Sequence, residues 1–576
     1  MPDTILLPDI LERRAVGEPD RTAYVFLDEN GSEAAALTYR ELHHRALAVA
    51  RELHSRCVPG DRALLVFPQS LDFIVAYFGC LYAGVIAVPV NPPRRDRVQD
   101  ATRSIVLDCA PAAVLTLGAL IAPLRPVLEP ICQVRQWLAV DAMPAGRIDR
   151  PAVAAELDSV AFLQYTSGST ATPKGVMVTH RNLLANEEMI RRAFGHDRDS
   201  TVVGWAPFFH DQGLIGNVLQ PLYVGATSVL MSPATFIRRP LLWLEAISRY
   251  RAHTGGGPDF AFAACVARAS AGEVPRMDLS SWKVAFNGAE PIRAETLTRF
   301  AETFAPFGFD ARALYPCYGL AEATLLVTGS RKGRGPTTLE LDVEALGRGR
   351  YEVAAGRNRT VAGSGRVLPR EELRIVDPGT GRVCPPDRIG EIWVSGDHVA
   401  QGYWEKPEAT AETFQARCAD DPARTYLRTG DLGVLVDGEL YVVGRRKDVI
   451  IVRGRNYYPH DIERTVQAAH PALRIGGGAA FSVPGRDGEK IVVVQEVNRA
   501  FAPEGDITDI IGAIRAAVVR EHELAVGEVV LTSGGQVQKT SSGKIMRAAA
   551  RKRYLAGGFE IWSPHVEEPA QPRTRS

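Results

Sequence analysis

Apolar positions along the chain alternate between two periods. Leu42, Ala46, Val49 and Leu53 fall on one face of a 3.6-residue repeat, and Thr38 with Glu41 forms a candidate capping box ahead of them, so the spacing predicts a helix. After the turn Pro59-Gly60-Asp61, the run Ala63–Phe67 reads as a buried strand, Leu71–Ala83 as a helix and Val85–Val90 as a second strand, a βαβ unit. Strand-like runs return at 113–117, 201–205, 227–231 and 283–287 with helical patterns between them, which predicts mixed sheets covered by helices, an α/β fold. Further on the texture is β-rich, with runs at 372–377 and 390–395 and a hairpin turned at Asp437-Gly438. A compact α+β segment follows from about 448 to 555, and the last dozen residues, rich in Pro, Glu, Arg and Ser, read as a disordered tail.

Length changes this picture by adding domains: 576 residues at roughly 150 per domain imply three or four structural units. With 46% apolar and 23% charged residues and no apolar run of about 18, a membrane span is not expected. Lys+Arg and Asp+Glu are both 67, so no global field draws the chain to nucleic acid or an anionic bilayer. The eight cysteines never form a CxxC pair, and the N-terminus lacks a basic region followed by an apolar stretch. Reduced thiols in a cytoplasm are the expectation.

The sharpest chemical signal is Tyr165-Thr166-Ser167-Gly168-Ser169-Thr170-Ala171-Thr172-Pro173-Lys174-Gly175, directly after the strand-like run 160–163. Small residues let backbone amides approach phosphate oxygens, hydroxyls donate further hydrogen bonds, and Lys174 supplies charge, a combination suited to a nucleoside triphosphate. The GxxxxGK[ST] order of a Walker loop is absent. Composition alone favours a solvated Ser/Thr/Gly linker.

This loop resembles the signature of the adenylate-forming superfamily of acyl-CoA synthetases, peptide-synthetase adenylation domains and luciferases. The resemblance runs from about residue 10 to 555 and includes, in order, His210-Asp211, Asn287-Gly288-Ala289-Glu290-Pro291, Tyr318-Gly319-Leu320-Ala321-Glu322, Thr429-Gly430-Asp431, Gly444-Arg445-Arg446-Lys447-Asp448 and Lys539-Thr540-Ser541-Ser542-Gly543-Lys544. Ala171 departs from the glycine usual at its position. The resemblance implies a large N-terminal adenylation domain over 1–446 with a β-rich subdomain, a small mobile α+β C-terminal domain over 447–563, and a tail at 564–576. It implies ATP bound by Thr166, Ser167, Gly168, Ser169, Thr170 and Lys174. Gly288, Ala289, Glu290, Tyr318 and Gly319 would line the adenine slot, with Asp431 and Arg445 on the ribose. Glu322 would hold Mg²⁺, Lys447 would be the hinge, and His210 would gate the carboxylate pocket. Lys544 would bridge the substrate carboxylate and the α-phosphate, where two unit charges about 4 Å apart repel by roughly 4 kcal/mol at an effective dielectric near 20.

The acyl pocket is expected around Trp243, Gly256 and Phe260. An amino-acid substrate would want a carboxylate there for its ammonium group, for which Asp211 or Asp259 could serve. The runs 90–95, 207–216 and 315–324, with Ala321 where the broad superfamily commonly has Thr, are instead similar to fatty acyl-AMP ligases. So is the Gly/Arg-rich insertion from about 331 to 360, which by composition alone would be a flexible loop. In that branch the insertion disfavours thiolation by coenzyme A, and the implied acceptor is an acyl carrier protein supplied in trans. A long-chain acyl-CoA ligase and a catalytically inactive nucleotide- or lipid-binding relative are the alternatives.

Overall fold

The computed structural model describes residues 5–92, 100–143, 149–151, 153, 155–166, 173–272, 274–353, 358–485, 488–498, 507–540 and 543–562. These form two compact units rather than the three or four suggested by length, because the α/β and β-rich stretches share one continuous core. The first unit comprises the described residues up to 342 together with 353 and 358–442; the second comprises 343–352 and the described residues from 443 to 562. The division thus falls a little ahead of the expected 446/447 boundary. The expected tail at 564–576 and Pro93-Arg94-Arg95 lie outside the described residues.

In the first unit the βαβ reading is realised. Strands Arg62–Val66 and Ile86–Val90 pair in parallel around the helix Leu71–Ala83, apolar but for Asp72 in its first turn, which ends where Gly84 takes the left-handed conformation, φ 66°. They belong to a six-stranded sheet whose edge is the antiparallel pair Val160–Thr166 and Lys174–Thr179. The helix Tyr39–His54 starts at the expected capping box: Glu41 N–H donates to Thr38 Oγ1 at 3.2 Å, and Thr38 N–H to Glu41 Oε2 at 2.8 Å.

A 14-stranded sheet carries the rest. Its parallel strands Thr254–Gly257, Val284–Asn287 and Leu314–Gly319 lie side by side, and past Leu314–Gly319 the pairing turns antiparallel into the β-rich extension. Asp437 and Gly438, φ 51° and 77°, turn the hairpin between Asp421–Val436 and Glu439–Arg445, the double positive φ that suits the twist of paired strands. The insertion is ordered where described: Thr338–Asp342 pairs antiparallel with Asn358–Ala362, and Leu341 and Val361 are buried. The intervening helix Val343–Gly347 groups with the second unit. That unit holds a three-stranded sheet, Leu473–Gly485, Gly488–Val497 and Glu528–Thr532, backed by Pro459–Ala468 and Ile507–His522.

A chain of polar groups runs inward from the surface of the first unit, from exposed Lys332 to buried His196. Lys332 Nζ donates to His253 Nε2 (2.8 Å), which leaves His253 Nδ1–H to donate to Thr254 Oγ1 (2.8 Å) and the Thr254 hydroxyl to donate to His196 Nε2 (2.7 Å). Burial, reinforced by the neighbouring cations, pushes His253 down from 6.5 to about 4 and His196 to about 3; burial takes His180 to about 4. Unfolding restores the ordinary value, so the unfolded chain binds more protons between pH 6.5 and 4. Stability is therefore full above pH 6.5 and lost as pH falls through that window, at up to about 1.4 kcal/mol per histidine per pH unit. Calorimetry from pH 7 to 4.5 should show a falling melting temperature, with a shallower fall in His253→Asn; equal slopes would remove His253 from the effect.

Candidate active site

The strands Val160–Thr166 and Lys174–Thr179 deliver the two ends of the phosphate loop to one edge, with Thr166 opposite Lys174 and Tyr165 opposite Gly175. Ser167, Gly168, Ser169 and Thr170 lie outside the described residues, as does Ala171. The segment 400–404 runs beside the second strand: Met177 N–H donates to Gly402 O (2.9 Å), and Trp404 N–H to Gly175 O (2.7 Å). Lys174 Nζ stands 4.7 Å from the centre of the Tyr403 ring, and the Tyr403 hydroxyl donates to Glu322 Oε1 at 2.9 Å.

Glu322 sits in the short helical turn Ala321–Ala323, and its carbonyl accepts from Ala400 N–H at 3.0 Å. Thr324 follows at φ 67°, ψ −66°, a conformation costly for a β-branched residue, held by its hydroxyl bond to His398 O at 2.6 Å. One carboxylate, joined by phosphate oxygens of the nucleotide, is the usual way Mg²⁺ is held, and Glu322 is a residue of that chemistry. Among the described residues no group of three or more His, Cys, Asp or Glu could hold a metal by itself.

Tyr318 and Asp431, 113 residues apart, meet through a hydrogen bond from the phenol to Asp431 Oδ2 at 2.8 Å, both side chains largely buried. Gly319 can carry no side chain, since a Cβ would stand 1.7 Å from Leu325 O. In the 287–291 turn Gly288 is buried and Ala289 is exposed at φ 69°. Glu290 Oε1 accepts from Phe260 N–H at 2.7 Å, so its side chain caps the start of helix Asp259–Ser270.

Asp259 is buried and accepts from Arg293 Nε (2.7 Å) and N–H (3.1 Å), from the Thr296 hydroxyl (3.0 Å) and from Asn287 Nδ2 (3.4 Å). A carboxylate so fully engaged does not serve an incoming ammonium group. Asp211 accepts from Gln212 N–H (2.7 Å) and lies 3.5 Å from His210 Nδ1, at the mouth of a π-helical turn, Gln212–Leu219. Gln164, on the phosphate-loop strand, ties this corner down by donating to Phe209 O at 2.9 Å.

Of the residues expected in the acyl pocket, Trp243 is fully buried in an aromatic cluster with Trp205, Phe236 and Trp282. Phe260 is half-buried at the edge of that cluster, and a Cβ on Gly256 would meet the Phe286 ring at 2.3 Å. The site residues of the second unit form separate features. Arg445 ends the strand Glu439–Arg445, and Lys447 lies in the turn Arg446–Asp448. Lys544 is exposed in a tight hairpin: Thr540 N–H donates to Lys544 O (2.8 Å), Met546 N–H to Gln538 O (3.0 Å), and Gly543 has φ 87°.

The family model for AMP-binding enzymes matches residues 11–404, and one for the AMP domain of Disco-interacting protein 2-like proteins matches 447–563. The chain is 43% identical, over 98% of both chains, to the medium-chain fatty acid acyl-carrier-protein ligase JamA of Moorena producens. It is 38% identical to the long-chain fatty acid AMP ligase FadD26 of Mycobacterium marinum over 96% of this chain and 98% of that one. The crystal structure of a fatty acyl-adenylate ligase from Legionella pneumophila, in complex with acyl adenylate and pyrophosphate, matches with TM-score 0.75 and 38% identity over 96% of each chain. The chain belongs to the AMP-binding enzymes, as a fatty acyl-AMP ligase. Two residues of this fatty acyl-AMP ligase were not picked out by sequence reasoning, Tyr403 and Gln164. The pattern Gly402-Tyr403-Trp404 was available as a signal for the first, but only the folded chain brings it to Glu322 and Lys174.

Proposed function

We propose that the chain activates a medium- or long-chain fatty acid with ATP and Mg²⁺, then passes the acyl group to the phosphopantetheine thiol of an acyl carrier protein supplied in trans. In the first step a carboxylate oxygen attacks the α-phosphorus, the bond to the β-phosphate bridging oxygen breaks, and pyrophosphate leaves. In the second the carrier thiol, losing its proton, attacks the acyl carbonyl and AMP departs. The observation that carries this reading is the convergence of Tyr403, Glu322 and Lys174 at the mouth of the phosphate loop. The Tyr318–Asp431 pair supports it, as a flat aromatic face and a ribose acceptor held together.

In this reading Lys174 neutralises phosphate charge, and Glu322 would hold the Mg²⁺, which would supply further positive charge at the triphosphate. Asp431 and Arg445 bind the ribose, Lys544 screens the meeting anions, and His210 lines the carboxylate entrance. The first unit is the adenylation body and the second the mobile lid turning at Lys447. The carrier as acceptor is supported by the acyl-carrier-protein ligase named in JamA, and the free state of all eight cysteines fits a reducing compartment such as the cytoplasm. No described helix is long and apolar enough to cross a membrane. A relative named as a putative fatty-acid–CoA ligase, 37% identical over 97% of this chain, keeps acyl-CoA formation as a second reading. Mass spectrometry of products from fatty acid, ATP and Mg²⁺, with coenzyme A and a pantetheinylated carrier offered in parallel, separates them. Acyl-AMP that persists with coenzyme A and passes to the carrier is the expected outcome. Rapid acyl-CoA formation would favour the second reading, and no acyl-AMP from any fatty acid would refute both.

A further inference from the structure

We propose that Tyr403 is a positioning residue that sets the phosphate-loop lysine and the metal-site carboxylate in one register; the proposal rests on the roles given above to Lys174 and Glu322. Two different surfaces of one side chain make the two contacts. The ring face receives the Lys174 ammonium at 4.7 Å, and the hydroxyl donates to Glu322 Oε1 at 2.9 Å. An ammonium over an aromatic face is held by the ring quadrupole without losing all its water. A phenol donating to one carboxylate oxygen fixes the rotamer and leaves the other oxygen's lone pairs to a cation or water.

Tyr403 is itself rigid. It is 7% exposed, its N–H donates to Thr410 Oγ1 at 3.0 Å, and its ring meets Phe414 edge-on at 5.0 Å. The flanking Gly402 and Trp404 are laced to the strand that carries Lys174, and Ala400 to the carbonyl of Glu322. Sequence separation makes the point physical: Tyr403 lies 81 residues beyond Glu322, and no local element would bring them together. A buried phenol needs some hydrogen-bond partner in any case; what packing alone does not require is that the partner be Glu322 while the ring face receives Lys174.

Tyr403→Phe keeps the ring and removes the donor; Tyr403→Leu removes both contacts. The probe is Mn²⁺ bound with α,β-methylene-ATP, titrated by electron paramagnetic resonance, alongside the Mg²⁺ dependence and ATP KM of acyl-AMP formation. Tyr403→Phe is expected to weaken Mn²⁺ binding about 10-fold or more, as loss of a residue orienting a metal ligand does, with ATP KM at saturating Mg²⁺ unchanged. Tyr403→Leu is expected to raise ATP KM as well. Glu322→Gln serves as the control. If it leaves Mn²⁺ affinity intact, the metal role of Glu322 fails and the proposal with it. If Glu322→Gln weakens the metal while Tyr403→Phe matches the parent protein, the positioning role alone is overturned.

Discussion

Lys544→Ala is expected to lower the rate of acyl-AMP formation by about 10²–10³-fold, the usual cost of removing one preorganised charge-stabilising donor, while ATP binding stays near that of the parent protein. The chemistry requires a cation where carboxylate and triphosphate meet, and the geometry gives Lys544 a stiff mount. Its carbonyl and amide are both tied to Thr540, the amide donating to Thr540 Oγ1 at 3.1 Å, and Gly543 takes a left-handed φ that few other residues adopt cheaply. Because the side chain is exposed, its truncation should leave the melting temperature unchanged, so lost activity cannot be charged to unfolding. Pyrophosphate release at saturating fatty acid and ATP measures the effect, and calorimetric titration with ATP measures the binding. Turnover equal to the parent protein would remove Lys544 from the mechanism. Weakened ATP binding in proportion to the rate would instead make it a nucleotide ligand.

How much of this was legible beforehand depended on range. Leu71–Ala83 and the strand Gly390–Ser395 coincide with their sequence expectations, because an apolar run broken only at Asp72 or a bounded β-branched run declares itself within a dozen residues. The Thr38–Glu41 capping box and the Asp437-Gly438 turn are likewise local. The insertion was opaque for a compositional reason: its glycines and arginines read as a loop, whereas the hairpin rests on a few buried residues such as Leu341 and Val361 spaced among them. Side-chain duties were opaque for a topological one. Glu290 reads as a nucleotide-lining residue within its motif, and only the fold shows that it also accepts from Phe260 N–H, 30 residues earlier, at the start of a helix. Asp259 reads as available until Arg293 and Thr296 arrive from another helix and its lead-in. Motifs name the chemistry of a site, while the fold decides which of their side chains are left to perform it.

The same reasoning predicts the largest stability effect in the second unit, at Arg547. This first residue of helix Arg547–Leu555 reaches back with a fork, Nε to Glu463 Oε1 and Nη2 to Oε2, both 2.7 Å, while Nη1 meets Asp448 Oδ2 at 2.9 Å. Burial pushes the Glu463 carboxyl up and Arg547 pulls it back down, leaving it raised on balance. Arg547→Met strands that carboxylate, at a cost of about 3–5 kcal/mol, and Arg547→Lys should recover only part because an ammonium cannot reproduce the two parallel bonds. The pH dependence has a definite sign. Without its partner the folded-state pKa of Glu463 rises further above the unfolded value, so the stability it contributes is present at acid pH and lost as pH rises through the folded pKa. The deficit of Arg547→Met should therefore be larger at pH 8 than at pH 5.5, and adding Glu463→Gln should shrink it. Function follows the same contact, since Asp448 adjoins the proposed hinge Lys447 and Arg547 lies just beyond Lys544 in the chain. In Arg547→Lys, if the fork holds hinge turn and lysine hairpin together, both adenylation and transfer fall although the unit stays folded. Denaturation curves at the two pH values, with both half-reactions measured on the lysine variant, test the account. A melting temperature for Arg547→Met equal to the parent's would show that the buried pair bears no weight.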